Sequence, residues 1–286
     1  MSRFEMAVSE NGQGVAPEKP DSLSTMYRFL IFAATATALF GQLPAPNQSG
    51  VSMGHLHLMV ADPEGQKKIW VEALGAEPTH TGTLELLRLP GMYIIVGKAR
   101  TAPTEGTEGS TVNHIGFAVK DLAAVKQKLD ALHVESAPVN GNAKQIMAKF
   151  PEKVTVELTE DATLSTPVAM HHIHLATPDP EKQRAWYVKT FGARAGMRGN
   201  FLAAFVPGGE VDGRKAAEAQ APTKGRSLDH IGFEVRNLEA FCKQLAADGV
   251  QFEMPYRDVP AIGLKIAFLQ DPEGTRIELT EGLAGK

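Results

Sequence analysis

Apolar and polar residues alternate along Leu84–Gly97 (LELLRLPGMYIIVG), Lys153–Glu160 (KVTVELTE) and Leu264–Glu281 (LKIAFLQDPEGTRIELTE). A period of two puts successive side chains on opposite faces, so these segments predict strands. The Pro-Gly and Asp-Pro-Glu-Gly interruptions predict the turns of hairpins. Elsewhere the period changes. Leu122, Val125 and Leu129, and again Leu238, Phe241 and Leu245, are spaced by threes and fours, as on the core-facing stripe of a helix. Each helix follows a short apolar run that carries histidine: HLHLMV from His55, HIGFAV from His114, HIHLAT from His172 and HIGFEV from His230. The expected order is strand, helix, then three strands, repeated four times. The fold class is α+β, built from four βαβββ modules.

Internal repeats support this reading. The segment from Gly54, GHLHLMVADPEGQKKIWVEALGAE, aligns with HHIHLATPDPEKQRAWYVKTFGAR from His171 at a constant shift of 117 residues. His55 then falls on His172, His57 on His174, Asp62 on Asp179 and Trp70 on Tyr187. The segment from Asn113, NHIGFAVKDLAAVKQKLDAL, matches that from Asp229, DHIGFEVRNLEAFCKQLAAD, at a shift of 116. Two similar halves are expected as domains, residues 51–162 and 167–283. Gly-, Pro- and Thr-rich loops (TAPTEGTEGS and AEAQAPTKGRS) separate the modules within each half.

Composition narrows the class. The 286 residues are 43% apolar and 22% charged, as in ordinary globular proteins. A net charge of −4 argues against a nucleic-acid partner, which favours a basic surface. The single cysteine, Cys242, excludes an intramolecular disulfide framework and reads as packing on a helix face. Residues 1–25 are polar and aperiodic, and are expected to be a disordered extension. Next come Met26-Tyr27-Arg28 and the apolar run Phe29–Phe40, which fit a secretory signal peptide over residues 26–43, with 44–50 as a linker. The run falls short of the roughly 20 apolar residues a membrane span needs, so no stable membrane insertion is expected. The alternative is a helix packed on the fold. The signal reading places the protein outside the cytoplasm.

Seven of the nine histidines lie on the four opening strands: His55, His57, His114, His171, His172, His174 and His230. Duplication of one ancestral histidine would produce the same alignment, so the pattern is better evidence of the repeat than of a metal. Two glutamates add independent weight. Glu157 in VELTE and Glu278 in IELTE stand mid-strand, each six residues after a proline (Pro151, Pro272). A carboxylate there is costly to bury without a partner. A metal shared with two imidazoles supplies one, and two histidines with one carboxylate suit Fe(II) and related ions or catalytic Zn²⁺.

These residues resemble the vicinal oxygen chelate superfamily (glyoxalase I, extradiol dioxygenases, epimerases and bleomycin-resistance proteins), over essentially all of residues 51–283. The resemblance implies that modules pair into two glyoxalase-like domains with cup-shaped mixed sheets. A divalent ion (Fe, Zn, Mn, Ni or Co) is then expected between histidines on first strands and a glutamate on a last strand. By motif position it implies His172, His230 and Glu278 in the second half, and His55, His114 and Glu157 in the first. A fourth ligand that doubles as a proton-transfer base falls on Ile95 in the first half, which cannot ligate. In the second half it falls on Asp212, or on Glu210 two residues earlier, in a segment equally readable as a loop. Where related ring-cleaving dioxygenases carry a tyrosine, this chain has Phe268.

His57 and His174 share a strand face with ligand candidates, as proton shuttles, substrate contacts or satisfied core histidines. Glu234 lies on the His230 face, His171 points away, and His80 and His133 are expected to be exposed. The expected activity is metal-dependent, on a small substrate with vicinal oxygens, with an isomerase or lyase ahead of a dioxygenase. The candidate catalytic groups are Asp212, Glu210 and His174. The competing class is a cup that sequesters a small molecule without turnover.

Overall fold

The computed structural model describes residues 43–103 and 105–286. The expected extension and nearly all of the expected signal segment lie outside them. Four βαβββ modules follow in order. The first is β1 (Val51–Val60), α1 (Pro63–Glu72), β2 (Glu77–Thr81), β3 (Leu84–Leu89) and β4 (Met92–Lys98). The second is β5 (Val112–Val119), α2 (Leu122–Ala131), β6 (Glu135–Val139), β7 (Asn142–Phe150) and β8 (Val154–Glu160). The third is β9 (Val168–Thr177), α3 (Pro180–Phe191), β10 (Arg194–Arg198), β11 (Phe201–Val206) and β12 (Gly209–Lys215). The fourth is β13 (Leu228–Val235), α4 (Leu238–Ala247), β14 (Phe252–Val259), β15 (Leu264–Gln270) and β16 (Arg276–Glu281).

Each helix starts where a short polar side chain can take an orphan backbone N–H. Asp62, Asp121, Asp179 and Asn237 accept from the amides of Gly65, Ala124, Lys182 and Ala240. Pro63 and Pro180 occupy the first turn, where a missing N–H costs nothing. Among the described residues no helix is long and apolar enough to cross a membrane.

The strand order corrects the expected division into halves. One eight-stranded sheet runs β14-β15-β16-β13-β1-β4-β3-β2 and the other β10-β11-β12-β9-β5-β8-β7-β6. The first module therefore pairs with the fourth, through antiparallel β1 and β13, and the second with the third, through β5 and β9. The connections account for this. Residues 161–167 join β8 to β9 by a short link that keeps the two modules in one sheet. The longer connectors, 99–111 and 216–227, carry the chain from one sheet to the other and bond to each other, Thr111 N to Ala221 O (2.9 Å) and Ala221 N to Gly109 O (3.0 Å).

Modules of one half still pack together, but through their helix faces. Trp70 on α1 meets Phe117 on β5 and Phe150 on β7, with ring centroids 5.7 and 5.0 Å apart. Phe191 on α3 meets Phe233 on β13 at 4.6 Å. A single apolar core thus joins the helix sides of both sheets. Cys242 belongs to this core, and burial pushes its thiol up to about 11. The opposite face of each sheet carries the histidines.

Candidate metal centres

Register places the chemistry. In the sheet of modules one and four, His55 aligns with Gly232 and Gly232 with Glu278. In the other sheet, His172 aligns with Gly116 and Gly116 with Glu157. Each glycine leaves room for an imidazole from the neighbouring module. A Cβ on Gly232 would overlap the ring of His55, and one on Gly116 the ring of His172. The ligand candidates thus gather across the halves: His55, His230 and Glu278 form centre 1, and His114, His172 and Glu157 form centre 2. All six residues expected from the sequence are present, with the first-strand histidines His55 and His172 exchanged between the expected triads. The HxG pattern of HIGF was the sequence signal for this arrangement.

In centre 1, the Nε2 atoms of His55 and His230 each lie 2.9 Å from Glu278 Oε2. In centre 2, His114 Nε2 is 3.1 Å from His172 Nε2 and 3.3 Å from Glu157 Oε2. His172 Nε2 is 3.8 Å from Glu157 Oε1. Nitrogen and oxygen atoms bound at about 2.0–2.2 Å to one ion stand roughly 3–3.5 Å apart, so centre 1 and the contacts of His114 in centre 2 are close to the spacing of a divalent-metal site, while His172 and Glu157 stand slightly wider. His57 joins the donors of centre 1; at centre 2 the mutually close donors are His114, His172 and His174, with Glu157 beside them.

Neighbouring groups orient the imidazoles, as metal-binding histidines require. His230 donates from Nδ1 to Asp229 (2.6 Å), which in turn accepts from Arg276 (2.6 Å) and from the amide of Gly225 (2.9 Å). His114 Nδ1 faces the side-chain oxygen of Asn113 at 2.9 Å. His171, to which the sequence assigned no role, places Nδ1 2.9 Å from Nδ1 of His172. Its repeat counterpart is Gly54, where a Cβ would stand 2.8 Å from the Glu234 amide nitrogen. No side chain fits there, and the buried Nδ1 of His55 has no hydrogen-bond partner among the described residues.

Charge follows the same pattern. Burial opposes ionisation of Glu278, but hydrogen bonds from His230 and His55 hold its carboxyl well below the usual range. Burial likewise opposes ionisation of Glu157, which bonds from His114 and Gln145 hold at about 2. Burial keeps His172 neutral, helped by the nearby positive charge of Arg198. Burial and the neighbouring His230 lower His57 to about 3.

Centre 2 has an acidic flank that centre 1 lacks. The segment Gly209–Lys215 is a strand in parallel register with β9, so Glu210 aligns with His172 and Asp212 with His174. The corresponding residues beside His55 and His57 are Tyr93 and Ile95. Asp212 accepts from His174 Nδ1 (2.6 Å) and bonds to Arg198, a residue the sequence reading did not single out. Glu210 Oε1 lies 3.1 Å from Arg198 Nε without hydrogen-bond alignment. Burial and the adjacent Asp212 push Glu210 up to about 7. At the position of the dioxygenase tyrosine, Phe268 stacks edge-on against His230 in centre 1, and Met147 aligns with Glu157 in centre 2. A cavity of about 690 Å³ between α1 and β2–β4 lies on the helix side of the sheet, away from both centres.

Known proteins share this architecture. The family model for the Glyoxalase/Bleomycin resistance protein/Dioxygenase superfamily matches residues 169–279. The matched segment belongs to that superfamily. The likeness of fold to solved structures extends to the other modules. Glyoxalase I from Zea mays superposes with a TM-score of 0.62 at 17% identity, covering 81% of this chain and 92% of its own. A putative dioxygenase from Bacillus subtilis subsp. subtilis str. 168 superposes with a TM-score of 0.61 at 14% identity, covering 85% and 88%. No curated protein matches the sequence.

Proposed function

We propose that the protein is a metal-dependent enzyme acting on a small substrate with two adjacent oxygens, and that centre 2 is its working site. One observation carries this reading. His114, His172 and Glu157 converge beside Glu210, whose Oε1 has no hydrogen-bond partner among the described residues, and beside the His174–Asp212 pair. His114, His172 and Glu157 would hold a divalent ion, which would supply Lewis-acid polarisation of the substrate oxygens. Glu210 is the proton acceptor, on the cup face in register with His172. Asp212 fixes the tautomer of His174 through Nδ1 and leaves Nε2 to face substrate. Arg198 offsets the two adjacent carboxylates.

Both centres lack a tyrosine at the position ring-cleaving relatives use, which favours proton-transfer chemistry of the isomerase or lyase kind over dioxygenation. We further propose that it works outside the cytoplasm, on the strength of the basic residue and apolar run within residues 26–43.

Metal analysis of the wild type, a His55→Ala/His230→Ala variant and a His114→Ala/His172→Ala variant tests the reading. Two equivalents are expected in the wild type and one in each variant. Turnover, screened on α-hydroxycarbonyls and catechols, should vanish only in the second variant. No bound metal in a folded wild type would overturn the proposal and leave a ligand-binding cup.

A further inference from the structure

The two centres are built alike, but their surroundings differ. In the sheet of modules one and four, the two outer edges touch. Thr83 N donates to Ala261 O (3.0 Å) and Thr81 Oγ1 to Ile262 O (2.9 Å). Gly82, at φ +53°, approaches so closely that a Cβ would overlap the Ala261 carbonyl. In the other sheet the outer turns carry Gly141 and Gly199, where a Cβ would meet nothing within 4 Å. One cup is bridged across its mouth, and among the described residues no hydrogen bond joins the corresponding turns of the other.

Residues Gly282–Lys286 then pack against the bridged cup. Glu234 Oε1 accepts from the amides of Gly282 (2.8 Å), Leu283 (3.0 Å) and Ala284 (3.2 Å), and its Oε2 from Thr280 (2.7 Å). Tyr93 donates to the carbonyl of Lys286 at 2.5 Å. Leu283 is 0% exposed and sits in an apolar cluster with Tyr93, Ile95, Leu86 and Leu264. Tyr93 and Ile95 are the register partners of His55 and His57, so this cluster lies on the face that bears centre 1.

Every element of this strap is missing at the repeat-related position around centre 2. Glu234 corresponds to Ala118, Tyr93 to Glu210, Ile95 to Asp212, and the buried Leu283 to the exposed Ala162. We infer that Gly282–Lys286 is a built-in strap that seals centre 1 from small molecules, leaving it a structural metal centre while substrate is admitted only to centre 2. The inference rests on both centres binding metal as proposed above.

Metal release from the loaded full chain into excess chelator tests it. One equivalent should leave fast and one slowly. A Glu278→Ala variant should lack the slow phase and a Glu157→Ala variant the fast one. Deleting residues 282–286, or separately substituting Glu234→Ala, should speed the slow phase by about tenfold or more, because the only barrier removed is local opening. A slow phase unchanged in both variants, or one that belongs to centre 2, would overturn the strap.

A second arm needs no metal. An Ile95→Cys substitution in a Cys242→Ser background is treated with a maleimide, with and without residues 282–286. Slow labelling that accelerates about tenfold on deletion supports the strap, and equal rates overturn it. A chain that takes up no metal but labels this way would sink the enzyme reading and the metal at centre 1, and leave the strap alone.

Discussion

The six ligand candidates were legible residue by residue because a histidine or glutamate in an apolar strand is conspicuous when it recurs. Their partners were not. The sequence reading gave no role to Asp229, Asn113 or Arg198. Only the fold brings them to the imidazoles. The glycines of HIGF make the sharpest test. Gly232→Ala should cost centre 1 its ion and Gly116→Ala centre 2 its own, because each added methyl overlaps the ring of His55 or His172. Metal analysis should find one equivalent in each variant, and two in either would show that the rings have room to move.

The difference between Asp229 and Asn113 has its own consequence. A carboxylate behind a ligating imidazole raises its basicity more than an amide does. Asp229→Asn should therefore weaken binding at centre 1 by about 10- to 100-fold, as read by competition with a fluorescent chelator. Because Asp229 also holds Arg276 and the Gly225 amide, thermal unfolding of the metal-free variant separates lost support from lost ligation.

At the level of elements, most of the fold was readable and one strand was ambiguous. The helix starts follow from Asp62, Asp121, Asp179 and Asn237, and the hairpins from alternation. Gly209–Lys215 was readable as a strand or as a loop because two glycines and two acids interrupt the pattern. It is a strand because β9 and β11 supply backbone partners on both sides, and its acids face a polar site instead of the core. Packing and capping contribute unequally to these elements. Trp70 is fully buried between modules one and two, so Trp70→Ala should cost about 3–5 kcal/mol. Asp121→Ala removes one exposed cap bond and should cost about 1 kcal/mol. Urea unfolding of the two variants measures the difference. Similar values would mean that the helix–sheet core between modules one and two contributes less than its burial implies.

For the molecule as a whole, the sequence reading identified the right modules and grouped them by half. Repeats reveal which modules are alike, whereas sheet pairing depends on which free edges meet, and the connectors decide that. Strands β9 and β13 occupy in the second half the places that β1 and β5 hold in the first. Residues 167–286 expressed alone expose both edges, and an exposed, unpaired edge seeks a partner. A second copy offers the same two edges in complementary order, β9 against β13 and β13 against β9, about a twofold axis. The fragment should therefore run as a dimer by light scattering. It should bind two ions per dimer, each between His172 of one copy and the His230 and Glu278 of its partner. That is the triad expected from the second half's sequence, realised between chains. A monomeric fragment without metal would show that β9 requires features of β5 beyond the shared HIxxxV frame, and that the four modules are not interchangeable at their edges.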